Sequence, residues 1–361
     1  MKIDFANLRY QHSLYQEEIE HAVLNVMHKC NFIMGEEIAE LEKSLADFTG
    51  ATHAITCSSG TDALVLAMMA LNILPGDEII TTPFTFIATA ETIAFLGAKP
   101  VFVDIDAITY NIDVSKIEAA ITPKTKAIIP VSLYGQPADM DEIQAIADNY
   151  HLKIIIDGAQ SFGSTYKTKT DSCLGDISCT SFFPAKPLGC YGDGGAVFTD
   201  NEALGEKLKS LRLHGQTKRY HHKYIGMGGR LDTIQAAVLN VKLKYYRHDL
   251  SLRQHVANTY SKVLADKDLI LPTIKSDRTS AWAQYSVRIQ DRDTVQNRLK
   301  AAGIPTAVHY PLPLHLQECF DYLGYQSGDF EISEMIAKEI LSLPMNPYLN
   351  DQEISYIAGC L

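Results

Sequence analysis

Short segments rich in apolar residues alternate with helical segments in the first half of this chain. The apolar segments are residues 78–82, 101–106, 127–131 and 153–156, and helix-forming segments at 88–96 and 141–150 lie between them. Strands of this kind have to be buried on both faces, whereas a covering helix needs only one apolar stripe. The pattern therefore predicts an α/β fold in which helices cover both faces of a mostly parallel sheet.

The length of the chain indicates a second, smaller domain. Single hydrophobic cores stop growing at about 250–300 residues, and this chain has 361. A long helix is predicted from residue 231 to about 257, and it is followed by short strands at 269–273 and 283–289 and by helices at 292–302 and 332–343. We therefore expect a large domain over 1–250 and a smaller α+β domain over 251–361.

Charge and cysteine content narrow the functional class. The formal net charge of -11 argues against a nucleic acid or an anionic membrane surface as the main partner. The seven cysteines form no CxxC pair or Cys/His cluster, which argues against a metal site and favours a reducing compartment. The N-terminal segment lacks an apolar signal core and no apolar run is long enough to span a bilayer, so we expect a cytoplasmic protein.

Lys186 occupies an unusual position for a lysine. It is the only basic residue in 179–199, where Pro184 and Pro187 bracket it among apolar and aromatic side chains and four glycines follow. The prolines exclude a continuing helix or a central strand, so the lysine is predicted at a turn in apolar surroundings. Desolvation lowers the pKa of an amine and makes it a nucleophile toward carbonyl groups. The alternative is an ordinary lysine that reaches solvent from a surface loop.

Three predicted strand ends carry side chains suited to a ligand. Residues 58–61 (SSGT) open a helix directly after a short strand, so their backbone N–H groups could hold a phosphate or could simply cap the helix. Asp157 follows an apolar strand, where a carboxylate needs a cationic partner unless it serves as a helix cap. Phe86 could stack on a ligand ring or pack in the core. Asp157 and Lys186 are predicted to face one cleft.

A concentrated basic segment lies further along the chain. Residues 207–230 contain seven lysines and arginines, three histidines and no acidic residue. The segment suits capture of an anionic substrate, such as a nucleotide diphosphate or a carboxylate, and a solvated basic loop is the equal alternative. His309 and Tyr310 lie in a stiff segment, VHYPLP, that could close over a ligand, although a lone histidine is more often a packed structural residue.

Six motifs occur in a fixed order along the chain: GTDAL (60–64), TFIATAE (85–91), DGAQS (157–161), SFFPAKPLGCYGDGGA (181–196), GGRLDTIQAA (228–237) and HYPLP (309–313). In this order and spacing they resemble the DegT/DnrJ/EryC1/StrS family of nucleotide-sugar aminotransferases, which depend on pyridoxal 5′-phosphate (PLP). The resemblance runs from about residue 3 to the C-terminus. It implies the aspartate-aminotransferase-like fold, PLP fold type I, and a homodimer with active sites at the subunit interface.

The resemblance assigns a role to the lysine and to two residues of the DGAQS motif. Lys186 would be the Schiff-base lysine and would also carry the proton that moves during amino transfer. Asp157 would pair with the pyridinium nitrogen of PLP and keep the ring protonated. Gln160 would form a hydrogen bond on the side of the cofactor's 3-hydroxyl.

The resemblance also implies how the ring and the phosphate are held, with one departure. Phe86 would stack on the ring, and Gly60, Thr61 and Ser181 would bind the phosphate. The family usually has an asparagine before the long helix that reaches the phosphate of the neighbouring subunit. Gly228 stands at that position here, so the interfacial part of the phosphate site is expected to differ.

The type of reaction and the substrate follow from finer similarities. A histidine in place of Lys186 marks the sugar dehydratases of the family, so the lysine favours transamination. The segments IIPVSLYGQPAD, HGQTKRYHH and PTAVHYPLPL most resemble members that act on UDP-2-acetamido-2-deoxy-3-oxo-D-glucuronate in surface polysaccharide (O-antigen) synthesis. The substrate implied has a diphosphate and a carboxylate, for which the candidate contacts are Arg212, His214, Arg230, His309 and Tyr310.

The resemblance implies a UDP-sugar as acceptor and glutamate as amino donor. The alternative within the family is an aminotransferase for another 3-keto or 4-keto UDP- or dTDP-sugar. The alternative from another functional class is a PLP-binding transcriptional regulator. It is disfavoured because the resemblance begins almost at the N-terminus and leaves no segment for a DNA-binding domain.

Overall fold

A seven-stranded sheet organises the larger part of the protein. The computed structural model describes residues 3–361, and its strands are β1 (His53–Cys57), β2 (Glu78–Thr81), β3 (Lys99–Phe102), β4 (Thr125–Ile128), β5 (Lys153–Asp157), β6 (Thr165–Tyr166), β7 (Lys169–Thr170), β8 (Ile177–Ser181), β9 (Gly195–Thr199), β10 (Gln216–Lys218), β11 (His221–His222), β12 (Tyr285–Arg288) and β13 (Ile340–Leu343). Its α-helices are α1 (Leu8–Lys29), α2 (Glu36–Thr49), α3 (Gly60–Ala70), α4 (Ala88–Phe95), α5 (Met140–Tyr150), α6 (Glu202–Leu211), α7 (Thr233–Val263), α8 (Arg292–Ala301), α9 (Glu331–Glu339) and α10 (Asp351–Cys360).

The strand order in the large sheet is β1-β9-β8-β5-β4-β2-β3. Strand β9 runs antiparallel to its neighbours β1 and β8, and the ladders from β8 to β3 are parallel. The apolar residues of the central strands are buried, as in Ile154, Ile155 and Ile156 of β5. The α/β fold with a mostly parallel sheet is therefore confirmed, and the carboxyl ends of the parallel strands share one edge.

Helix α3 is buried on nearly every side and packs against β8 and β9, with α4 and α6 beside it. Because helices surround it, its sequence is apolar all round rather than striped, and its N-terminus meets the carboxyl ends of the parallel strands. Within residues 3–361, no helix combines the length and the apolar character needed to cross a membrane.

Helix α7 joins the sheet to the C-terminal part of the protein. Its first half contributes Ala236 and Leu239 to a core cluster against α2, and its second half contributes Val256 and Tyr260 to a separate C-terminal cluster. The helix is continuous across residue 250. The division into domains at 1–250 and 251–361 stays a prediction.

Two local predictions for the C-terminal part are wrong. The helix predicted over 332–343 ends at Glu339, because Ile340–Leu343 pairs with β12 as an antiparallel strand. The strand predicted over 269–273 is reduced to a single bridge between Ile270 and Arg288. In the first case a tertiary partner overrides the local helical pattern.

Arg212 has a structural position. Its side chain is 3% exposed and is paired with Glu42 of α2, and it donates hydrogen bonds to the backbone oxygen of Thr56 at 2.7 Å and to the Thr56 hydroxyl at 3.1 Å. The residue therefore ties α2, β1 and the end of α6 together. This corrects the prediction that Arg212 contacts substrate, because the residue is buried and its Nη1 is bound to Glu42 and Thr56.

Removing Glu42 should destabilise the fold strongly, because it leaves Arg212 buried without its carboxylate. We expect Glu42→Ala to lower the free energy of unfolding by about 3 kcal/mol, measured by chemical denaturation. Glu40→Ala, at an exposed position of the same helix, is the control and should change it by less than about 0.5 kcal/mol. A similar small loss for Glu42→Ala would contradict the structural assignment of Arg212.

Candidate active site

A cleft of about 510 Å³ lies at the edge of the sheet where the parallel strands end. Helix α3, the segment after β2, the ends of β5 and β8, and a segment of the C-terminal part form its walls. Most of the residues that the sequence singled out line this one cleft: Gly60, Thr61, Phe86, Asp157, Gln160, Ser181, Lys186, His309 and Tyr310.

Lys186 reaches the cleft from a tight turn after β8. The turn is closed by the backbone N–H of Lys186, which donates to the carbonyl of Phe183 at 2.8 Å. Burial lowers the pKa of the Lys186 amine, and the negative charge of Asp157 opposes this effect. No acceptor or acidic partner within residues 3–361 is in contact with the amine. The side chain is thus free to react or to move a proton.

Asp157 ends β5 with its side chain 6% exposed. Its Oδ2 accepts a hydrogen bond from the Thr89 hydroxyl at 2.7 Å, and its Oδ1 accepts one from the backbone of Ala159 at 3.2 Å. Thr89 in turn contacts the hydroxyl of Thr85 at 3.0 Å. Among the residues described, no lysine, arginine or histidine forms an ion pair with Asp157. A buried carboxylate in this situation is a binding position for a cationic ligand group.

Gln160 connects the large sheet to the segment that holds His309 and Tyr310. Its Oε1 accepts from the backbone of Tyr134 at 2.6 Å, and its Nε2 donates to the Tyr310 hydroxyl at 3.1 Å. The Tyr134 hydroxyl donates to the carbonyl of His309. Burial, with Lys186 nearby, lowers the pKa of His309 to about 4, so its imidazole is neutral at pH 7. Its Nδ1 is 2.8 Å from the Ser342 hydroxyl.

Helix α3 begins at the cleft with its N-terminal N–H groups unused. Ser59 caps the helix, and no protein acceptor within residues 3–361 pairs with the backbone N–H of Gly60 or Thr61. Ser181 is so close that a Cβ placed on Gly60 would lie 2.7 Å from the Ser181 Cβ. Free N–H groups at the positive end of a helix, with a hydroxyl beside them, form a seat for a phosphate.

The basic segment lies beside this cleft rather than in its wall. His214 and Arg230 meet at Gly228, where an added Cβ would be 3.1 Å from the His214 ring and 3.8 Å from the Arg230 guanidinium. Neither side chain lines the cleft of its own chain. The carbonyl of Gly229 accepts from the backbone of Ser58 at 3.1 Å, so this loop adjoins the phosphate seat. Substrate binding by His214 and Arg230 stays a prediction.

Comparisons with known proteins agree with this geometry. Residues 14–361 match the model of the DegT/DnrJ/EryC1/StrS aminotransferase family. The UDP-2-acetamido-2-deoxy-3-oxo-D-glucuronate aminotransferase of Pseudomonas aeruginosa is 49% identical over 99% of both chains. A DegT DnrJ EryC1 StrS aminotransferase from Brucella abortus has a TM-score of 0.96 at 40% identity, covering 99% of this chain and 98% of its own. NtdA from Bacillus subtilis, solved with its cofactor PMP, has a TM-score of 0.92 at 31% identity, covering 99% and 84%.

The residues of the cleft fit PLP. Asp157 offers an unpaired buried carboxylate for the pyridine nitrogen, and Lys186 offers an amine without a partner for the aldehyde. The backbone of Gly60 and Thr61 with the hydroxyl of Ser181 would hold the phosphate. Among the residues described, Asp157 is hydrogen-bonded but has no cationic partner, and the Lys186 amine and the N–H groups of Gly60 and Thr61 have no acceptor.

Three residues of the site were not assigned a role from the sequence: Thr89 supports Asp157 from behind the cleft, and Asp193 and Gln284 line it. Thr89 follows Thr85 by four positions in TFIATAE, so the helical repeat would have placed both on one face. Asp193, the only acidic residue in 179–199, also lines the cleft. Gln284 comes from the C-terminal part, and its Oε1 is buried without a partner among the residues described. No sequence pattern marks Gln284.

Adding one methyl group behind the phosphate seat should weaken cofactor binding. The Cβ of Gly195→Ala would lie 2.6 Å from the backbone carbon of Ser59 and 2.8 Å from the nitrogen of Gly60, so the seat has to shift. We expect the dissociation constant for PLP to rise by about tenfold or more, measured by equilibrium dialysis. Gly359→Ala, where the added Cβ has no neighbour within 4 Å, should bind normally. Equal affinity in the two variants would count against the seat.

Proposed function

Because the chain belongs to the DegT/DnrJ/EryC1/StrS aminotransferase family, we propose that it moves the amino group of glutamate to C3 of UDP-2-acetamido-2-deoxy-3-oxo-D-glucuronate. It is a PLP-dependent nucleotide-sugar aminotransferase. The observation that carries the proposed reaction is the free amine of Lys186 in the same cleft as the unpaired carboxylate of Asp157. The product would serve surface polysaccharide (O-antigen) synthesis in the cytoplasm.

Asp157 provides the electronic control in this site. When bound, PLP supplies an aldehyde carbon that accepts the amino group and a ring that withdraws electrons from it. A carboxylate held by Thr89 and Ala159 in a buried position keeps a proton on the ring nitrogen, because the charged pair is favoured where water is excluded.

Lys186 has two tasks that its position supports. Its lowered pKa increases the fraction of neutral amine, which can act as a nucleophile toward the cofactor's aldehyde. With cofactor and amino donor bound, the same amine would be placed to take the proton from the donor's α-carbon and deliver it to C4′ of the cofactor. No other lysine lines the cleft among the residues described.

His309 and Tyr310 are proposed as contacts for the sugar. The neutral imidazole of His309 can donate or accept a hydrogen bond with a hydroxyl, and Tyr310 is positioned by Gln160. Burial raises the pKa of the Tyr310 hydroxyl, so it stays protonated and can donate. Phe86, 53% exposed in the free chain, offers an aromatic face for the cofactor ring.

A homodimer is proposed, with His214 and Arg230 reaching the cleft of the partner. Large apolar side chains of α1 and the following loop are exposed, among them Met27 at 50%, Phe32 at 45% and Ile33 at 48%. Several exposed large apolar side chains within one short segment favour a protein interface there. The basic hairpin β10–β11 is also exposed and would meet the anionic substrate across that interface.

The substrate proposal is tested with a panel of keto sugars and amino donors. We expect the wild type with PLP and glutamate to aminate the 3-keto uronate and to prefer it to neutral 3-keto and 4-keto UDP- or dTDP-sugars, followed by mass spectrometry. Lys186→Ala should reduce turnover at least about a thousandfold, because it removes the nucleophile and the proton carrier. Preference for a neutral or 4-keto sugar would replace the proposed substrate by the alternative within the family.

Shared active sites predict complementation between two inactive variants. A heterodimer of Lys186→Ala with Arg230→Ala contains one site with both defects and one site with neither. After subunit exchange of equal amounts, activity should rise from near zero to about a quarter of the wild-type value. Each variant taken alone through the same exchange procedure is the control, and its activity should stay near zero. No recovery, despite exchange verified by light scattering and mass spectrometry, would place Arg230 in the site of its own chain.

A further inference from the structure

A second buried carboxyl lies directly behind Asp157. Asp171, in the short turn between β7 and β8, is 1% exposed. It does not line the cleft, and no lysine, arginine or histidine within residues 3–361 forms an ion pair with it. A buried acid without a cation is costly to keep, so its contacts indicate what it does.

Two hydroxyls hold the Asp171 carboxylate between neighbouring loops. Its Oδ1 accepts from the Ser132 hydroxyl at 2.8 Å, and its Oδ2 accepts from the Ser161 hydroxyl. Its backbone N–H donates to the carbonyl of Ser164 at 2.9 Å. Ser132 and Ser161 are themselves fully buried, so each hydroxyl depends on Asp171 for its acceptor.

The loops that contain Ser132 and Ser161 carry or support the residues that face the cofactor. The backbone of Ser132 donates to the carbonyl of Asp157 at 3.0 Å, and Ser161 ends the turn that contains Gln160. Ser132 also precedes the turn whose Tyr134 N–H holds the Gln160 side chain. A single carboxyl thus ties together the supports of both Asp157 and Gln160.

Gly158 shows how closely Asp171 approaches this turn. A Cβ on Gly158 would lie 2.5 Å from Oδ2 of Asp171 and 3.0 Å from the carbonyl of Cys179. Only the absence of a side chain after Asp157 lets the second carboxyl come so near. The glycine at position 158 therefore allows Asp171 to lie close behind Asp157.

We propose that Asp171 is a positioning residue of the cofactor site, which holds the Asp157–Ser161 turn and adds a second negative charge behind the ring-binding carboxylate. This inference rests on the proposed function, since it concerns the same site. A second negative charge strengthens the potential that retains a proton on a cationic ligand. Asp171 contacts neither cofactor nor substrate and acts through Asp157.

The surroundings of Asp171 make its charge sensitive to pH. Burial raises its pKa from 3.8 to about 6, the two serine hydroxyls oppose this, and the charge of Asp157 adds to it. The other titratable group near it is the thiol of Cys173, whose pKa is also raised by burial. Because the folded pKa lies above the unfolded one, the contribution of Asp171 to stability is full below pH 3.8 and is lost as the pH rises through about 6.

The test compares Asp171→Asn with the wild type. The asparagine keeps the shape and two hydrogen-bonding atoms but removes the charge. In cofactor-free protein, the melting temperature of the variant relative to the wild type should rise by a few degrees, roughly 2–4 °C, between pH 5 and pH 8. At pH 8 its dissociation constant for PLP should increase about threefold to tenfold, and the visible absorption of bound cofactor should titrate at a lower pH.

Two further variants separate position from charge. Asp171→Ala removes both and should weaken PLP binding more than Asp171→Asn does. Ser161→Ala removes one hydroxyl and keeps the carboxyl, so it should weaken PLP binding, measured at pH 8, less than Asp171→Ala does. Asp266→Asn makes the same charge change at an exposed site and should behave as the wild type in every measurement.

Two outcomes would overturn the inference. Wild-type PLP affinity in Asp171→Ala or Ser161→Ala would exclude the positioning role. If Asp171→Asn leaves both the pH profile of the absorption and the melting temperature relative to the wild type unchanged between pH 5 and pH 8, the charge of Asp171 plays no part. Failure of the proposed function looks different, because PLP binding would still depend on Asp171 while no keto sugar is aminated.

Discussion

The unpaired carboxylate of Asp157 is the interaction on which the site depends. A charge at the buried end of β5 is tolerated because Thr89 and the Ala159 backbone hydrogen-bond it, yet neither neutralises it. The protein therefore keeps a position that favours a cation, and the amine of Lys186 is close enough to sense it. The sheet supplies the rigidity, since β5 lies between β4 and β8 and cannot move alone.

The central features of the site were predictable because they follow from position along the chain. Lys186 stood out as one charge among prolines and aromatics, and Asp157 as the first charge after an apolar strand. Parallel strands bring such ends to one edge, so two local patterns become one cleft. The sheet and α3 were predictable because short strand segments rich in apolar residues alternate with helix-forming segments along the chain.

What the sequence could not predict depends on contacts between distant segments. Arg212 looked like an anion-binding residue, but its partner Glu42 is 170 positions away and no local pattern links them. The end of α9 at Glu339 is decided by pairing with β12, and Gln284 enters the cleft only because the C-terminal part packs there. Charge and periodicity describe a residue, whereas burial of a polar group depends on the assembled fold.

The construction of the phosphate seat determines which substitutions can alter it. Apart from the Ser181 hydroxyl, its binding atoms belong to the backbone at Gly60 and Thr61, and Gly195 lies too close behind for any larger residue. Atoms of the main chain cannot be exchanged by mutation, so a substitution alters this part of the anchor only by displacing the backbone. A contact made by a side chain, such as that of the Ser181 hydroxyl, can be removed by a single substitution.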